Sequence, residues 1–161
     1  MTATNDLERL AGLIKTRNAV TSQIAALMGR PAQIGHIGEY IASGIFDIAL
    51  EGSASTKGFD GHFTQGQLSG ASVNIKWYTK QQGLLDLTAE ALPDYYLVLS
   101  GSRSGPSSSR GTTRPWVIEA VYLFDAQELA RYLRLDGLRI GVATSVRQHY
   151  WQGAEIYPEQ R

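Results

Sequence analysis

Apolar residues along this chain follow two different periods, and each switch between them marks a predicted element. From residue 5 to residue 28, Leu7, Leu10, Leu13, Ile14, Val20, Ile24, Leu27 and Met28 recur near every 3.6 residues, which predicts an amphipathic helix. Asn5 followed by Glu8 has the spacing of a capping box, and Gly29 with Pro31 supplies a stop. A second helix is predicted from about Gln33 to Phe46, with Ile34, Ile37, Ile41 and Ile45 on one stripe and Glu39 off it. "DIALEGSAST" reads as a short strand and a turn. The period then becomes two. Phe59, Gly61 and Phe63 alternate with Asp60, His62 and Thr64, and Val73, Ile75 and Trp77 alternate with Asn74, Lys76 and Tyr78. These are the arms of a hairpin closed by Gln65 to Gly70. A register that matches the polar faces puts Asp60 opposite Lys76 and His62 opposite Asn74.

Beyond the hairpin, "GLLDLTAEALP" has no decisive period, whereas "DYYLVLSG" and "WVIEAVYLF" read as buried strands. Asp125 and Glu128 open a helix over "AQELARYLRL", and Gly137 ends it. "LRIGVATSV" is expected as a last strand, and the tail from Arg147 as a helical turn followed by irregular chain. The order of helices and strands predicts an α/β fold: a central mixed sheet flanked by helices.

Composition narrows this without redirecting it. A chain of 161 residues fits one domain, with an N-terminal helix at 5–28, a core over about 33–145 and a tail at 146–161. The 43% apolar and 19% charged fractions belong to a globular chain with a sizeable core. There is no cysteine, so disulfides and thiolate metal sites are excluded. With no leader-like start and no long apolar run, the expectation is a cytoplasmic protein that does not enter a membrane. Net charge is zero, which argues against strong non-specific nucleic-acid binding, but the charges are unevenly placed. The loop "SRSGPSSSRGTTRP" carries Arg103, Arg110 and Arg114 with no acid, and Arg139, Arg147 and His149 lie in a second acid-free stretch.

The polar face of the hairpin raises the question of chemistry. Asp60 is a candidate oxygen ligand for a hard cation, and Gly58 and Gly61 beside it permit close approach. Lys76 could orient a water or stabilise developing charge, and the Ile75 carbonyl could also reach an ion. The structural alternatives are a cross-strand ion pair on a solvated face for Asp60 and Lys76, and a helix-exterior role for Glu39.

An acid on one strand, followed by a strand bearing x-x-Lys after an acid or amide, resembles the restriction-endonuclease-like PD-(D/E)XK nucleases. Here the matching residues are Phe59-Asp60 and, 14 positions after Asp60, Asn74-Ile75-Lys76, with Glu39 of "IGEYIA" on a helix before the sheet. The resemblance implies a restriction-endonuclease-like core and a Mg²⁺- or Mn²⁺-dependent endonuclease acting on DNA, in a restriction or phage-defence setting. It implies Glu39, Asp60 and the Ile75 carbonyl as metal ligands, and Glu39, Asp60, Asn74 and Lys76 as the catalytic set. DNA contacts are expected from His62, Tyr78, Arg103, Arg110, Arg114 and Arg147, and a homodimer is a permitted assembly. Two residues depart from the pattern: Phe59 stands where proline is usual, and Asn74 where an acid is. An amide oxygen can bind Mg²⁺ but adds no negative charge. The alternative is therefore a catalytically impaired nucleic-acid- or protein-binding module on the same fold.

Overall fold

The computed structural model describes residues 3–52, 58–103 and 114–158. Arg110 and most of the basic loop fall outside these residues. Two helices come first, α1 (Ala3–Met28) and α2 (Ile34–Phe46), then strands β1 (Ile48–Leu50), β2 (Gly61–Phe63), β3 (Ser72–Tyr78), β4 (Leu84–Leu85), β5 (Tyr95–Ser100) and β6 (Ala120–Asp125). Helix α3 (Ala126–Leu135), strand β7 (Thr144–Ser145), helix α4 (Gln148–Ala154) and strand β8 (Glu155–Tyr157) complete the chain. Six strands form one mixed sheet in the order β1-β2-β3-β5-β6-β8, in which only β3 and β5 are parallel. Strands β4 and β7 form a separate two-stranded ribbon. The α/β class and the mixed sheet expected from the sequence are present.

Alternation along the central strands sends side chains to two cores. On one face Ala42, Ile48, Phe63, Val73, Ile75, Leu97, Leu99 and Val121 pack together beneath α2. On the other, Tyr96, Val98, Tyr122 and Phe124 meet α3, α4 and the leucines Leu85 and Leu87, with Trp151 fully buried among them. Both aromatic pairs made by Trp151, with Tyr122 and Phe124, are edge-on at about 5 Å, the arrangement the ring quadrupoles favour. Asp125 caps α3 as expected, its carboxylate accepting from Glu128 N–H at 2.9 Å.

Several expectations are corrected. Helix α1 includes Asn5, which therefore does not cap it. The buried line of α2 is Gly38 and Ala42, not the isoleucine stripe, and Ile45 is exposed. Small residues win because they let α2 approach the sheet: a Cβ on Gly38 would lie 3.1 Å from Trp77 Cβ. The hairpin register is Gly61↔Val73 and His62↔Ser72, two residues tighter than expected. The 3-10 turn at Gly66–Leu68 closes the connection early, with Gly70 N–H donating to the Phe63 carbonyl. "LRIGVATSV" is not a long strand. Ala143 adopts a positive φ, Thr144 Oγ1 hydrogen-bonds Gly141, and only Thr144–Ser145 pair, with β4. The tail ends in β8 at the sheet edge rather than in irregular chain.

Candidate functional site

β2 begins only at Gly61, so the edge of β3 beyond Val73 has no strand neighbour on that side. An unpaired backbone donor at such a point must find another acceptor. Asp60 supplies it: its Oδ2 accepts from Ile75 N–H at 2.6 Å, while its own N–H donates to the Val73 carbonyl at 2.8 Å. In an extended strand the N–H and C=O of one residue leave from the same edge. The Ile75 carbonyl therefore emerges toward Asp60 as well. The tighter register moves Asp60 from Lys76 to the position beside Asn74, and His62 beside Ser72.

Asn74 and Lys76 project from the face of β3 that carries the larger core, next to Tyr96 and Val98 of β5. Asn74 Nδ2 reaches the Gly58 carbonyl at 3.5 Å, which directs its Oδ1 away from that contact. That oxygen is buried and has no hydrogen-bond partner, an arrangement that is costly unless something else fills it. Gly58, at positive φ, packs against the Ala91 backbone where a side chain would collide, so segment 86–91 walls the site. Lys76 Nζ sits 5.9 Å from the centre of the Tyr96 ring.

The electrostatics are opposed to the charges present. Burial pushes the Asp60 carboxyl above its usual range; the Ile75 hydrogen bond lowers it in part, the charge of Glu39 raises it further, and Lys76 and Arg30 draw it down. Burial pulls the Lys76 ammonium below the usual lysine range, against the attraction of Asp60 and Asp86. Each member of the pair is thus held closer to its neutral form than it would be in water.

The structure brings Asp60, Asn74, Ile75 and Lys76 together and places Glu39 near enough for its charge to act on Asp60. Glu39 itself is ion-paired with Arg30, at a side-chain exposure of 16%. Its approach depends on Gly38, the next residue, which seats α2 against Trp77. His62 lies on the β1 side, with Nδ1 3.1 Å from Glu51 and its ring edge-on to Phe59. Tyr78 is tied to Asp86: its hydroxyl donates to Oδ2 at 3.2 Å and accepts from the Asp86 N–H at 3.0 Å. Tyr78, Lys80, Arg114, Trp77 and Trp116 line a cavity of about 420 Å³ at the end of β3. Arg103 lines a different hollow, with Glu119 and Glu155, and Arg147 is paired with Asp136 at 3.4 Å. Those two arginines face acids.

Sequence reasoning missed three contributors. Arg30 pairs with Glu39, Tyr96 lies under Lys76, and Asp86 attracts Lys76 while bonding Tyr78 and the Ala143 N–H. For Asp86 a signal existed: an acid set between Leu85 and Leu87, both of which are buried. Every candidate donor here is oxygen, as a hard cation requires, and the orphaned Asn74 Oδ1 is an acceptor in search of a partner. Among the described residues, however, no three His, Asp or Glu side chains converge as a metal cluster. No described helix is long and apolar enough to cross a membrane. Compared with known proteins, the chain matches no family model and no curated sequence.

Proposed function

We propose that this protein is a Mg²⁺- or Mn²⁺-dependent endonuclease of the restriction-endonuclease-like PD-(D/E)XK type, acting on DNA in the cytoplasm. The observation that carries the reading is the Asp60–Lys76 pair, each within reach of the other's charge and each pushed toward neutrality by burial. Opposed pKa shifts in adjoining groups are enriched at catalytic sites. Asp60, Asn74 Oδ1 and the Ile75 carbonyl would hold the cation, with Glu39 joining them on release from Arg30. The bound ion supplies charge neutralisation at the phosphate and a more acidic water. Lys76 would orient the attacking water and stabilise the negative charge that develops as it attacks. Trp77, Trp116, Lys80 and Arg114 offer the aromatic and cationic lining that nucleic-acid strands favour.

A second reading is favoured by two specific contacts. The Arg30–Glu39 ion pair and the Asp60–Ile75 hydrogen bond are what a purely structural use of these acids requires. On that reading the chain is a binding module with a retired site, and Asn74 marks the loss.

Plasmid DNA incubated with the protein and Mg²⁺ or Mn²⁺ separates the two. The nuclease reading expects cleavage that is lost in Asp60→Ala and in Lys76→Ala. Cleavage that persists in either variant removes these residues from the chemistry. Retention of DNA without cleavage, weakening steeply with salt, selects the binding module.

A further inference from the structure

Residues 4–23 of α1 are exposed along their whole length, including the apolar stripe that sequence periodicity identified. Leu7, Leu10, Leu13, Ile14, Val20 and Leu27 are between 48% and 73% exposed. Such a helix is poorly equipped to stand alone. Gly12, Asn18, Val20 and Thr21 are weak helix formers, and Thr16 and Ser22 turn their hydroxyls back onto the carbonyls of Gly12 and Asn18. In proteins most helical stability comes from packing an apolar face rather than from propensity. Something must cover this one.

The residue spacing specifies what. Leu10, Arg17 and Ile24 form one column at seven-residue intervals, and Asp6, Leu13, Val20 and Leu27 form a second. Leu7, Ile14, Thr21 and Met28 form a flanking third. The first two columns are the a and d positions of a coiled-coil seam. Arg17 and Asp6 are the charged members of that seam. In a parallel pair each would meet its own copy, stacking arginine on arginine and aspartate on aspartate. In an antiparallel pair, a positions face d positions: setting Leu10 against Leu13 of a second copy simultaneously sets Arg17 against Asp6. Both ends of the symmetric pair gain that ion pair. In this register Leu7, Leu10, Leu13, Ile14 and Val20 lie within the overlap of the two helices, whereas Ile24 and Leu27 lie beyond it, so the apolar contact is short and the two Arg17–Asp6 pairs fix the register.

We infer that α1 is a homodimerisation helix that pairs antiparallel with the α1 of a second copy, Leu10 on Leu13 and Arg17 on Asp6. The inference is independent of any chemistry at Asp60 and Lys76. Because the chain has no cysteine, its geometry can be read by cross-linking in the full-length protein. Leu10→Cys and Leu13→Cys are prepared separately, mixed and oxidised. The antiparallel pair predicts mixed 10–13 cross-links at least fivefold above those formed by either variant alone. Self-cross-links that dominate instead overturn it in favour of a parallel pair. Sedimentation of the unmodified chain should show a dimer that dissociates on dilution; a monomer at about 100 µM with full helical ellipticity overturns the proposal. Arg17→Asp should weaken association at least tenfold, and adding Asp6→Arg should restore it. An Asp6→Arg/Arg17→Asp double variant no better than the single one also overturns the stated register. Thermal unfolding of the α/β body, unchanged in these variants, shows that they remain folded.

Discussion

Replacing Asp60 by asparagine removes a half-buried charge and keeps the acceptor that the Ile75 N–H needs. Two effects compete. A hydrogen bond to a charged acceptor is worth about 1.5–3 kcal/mol against about 0.5–1.5 for a neutral one, so the exchange costs about 1 kcal/mol. Against this stands the desolvation of the carboxylate, several kcal/mol for a fully buried ion and reduced here because Asp60 is only half-buried and partly screened. Burial outranks the hydrogen bond among the influences on Asp60, so the net effect should be stabilising. We expect a gain of about 1–2 kcal/mol at pH 7, which for a domain of this size raises Tm by about 2–8 °C. The pH dependence provides the check. A carboxyl whose folded pKa is raised favours folding when protonated; that contribution is complete below the ordinary carboxylate range and is lost as pH rises through the raised value. Asp60→Asn and the parent should therefore unfold together in acid and diverge as pH rises toward neutrality. Calorimetry or circular dichroism across that range measures the gap. Adding Mn²⁺ should then stabilise the parent and leave Asp60→Asn unmoved, because only the parent retains the charged ligand. A variant less stable than the parent at pH 7, or a gap that does not change with pH, refutes the argument.

Three further expectations test the frame around Asp60. Asn74→Asp restores an acid beside Asp60; Mn²⁺ affinity by titration calorimetry should rise about 10–100-fold, while the ion-free protein loses stability through like-charge repulsion. Gly38→Ala places a Cβ 3.1 Å from Trp77 Cβ; because that contact is to a strand's Cβ rather than a flexible side-chain end, the crowding should outweigh the gain of about 1 kcal/mol in helix propensity and leave a net loss of about 1 kcal/mol in denaturant unfolding. Trp151→Ala empties the centre of the larger core and should cost about 3–5 kcal/mol by the same measurement.

The parts of this fold legible in the sequence are those where one force decides the outcome. Strand β5 is an apolar run, and α3 has both a cap and a clean stripe, so local pattern and tertiary packing agree. The register of the hairpin was legible only as a parity, because alternation says which faces match and not how many residues the turn consumes. The 3-10 turn made that choice, and it exchanged Lys76 for Asn74 beside Asp60. The packed face of α2 is hidden from the sequence pattern because its contact line is built from Gly38 and Ala42, which periodicity of large apolar residues does not detect. Arg30 and Asp86 were invisible for a related reason: their relevance lies in distance through space from Glu39 and Lys76, not along the chain.

The composition of the site itself argues that stability did not select it. At the centre of a sheet whose neighbours are valine, leucine and tyrosine, β3 carries an amide with an orphaned oxygen and an ammonium that burial works to discharge. An asparagine at position 60 would still accept from the Ile75 N–H, at a cost of about 1 kcal/mol in that bond and without the charge. A cross-strand ion pair on a wet face would carry none of these costs, since exposed charges lose little hydration. Partial burial of all three groups is not what a fully solvated surface, the simplest structural reading of the hairpin, would give. Their expense becomes intelligible if a cation of opposite charge completes the set, and this is why Mn²⁺-dependent stabilisation, rather than cleavage alone, is the sharper discriminator. Cleavage can fail for want of the right DNA. A site built for a cation should respond to the cation by itself, and an unmoved Tm at millimolar Mn²⁺ would leave the binding-module reading in possession of the fold.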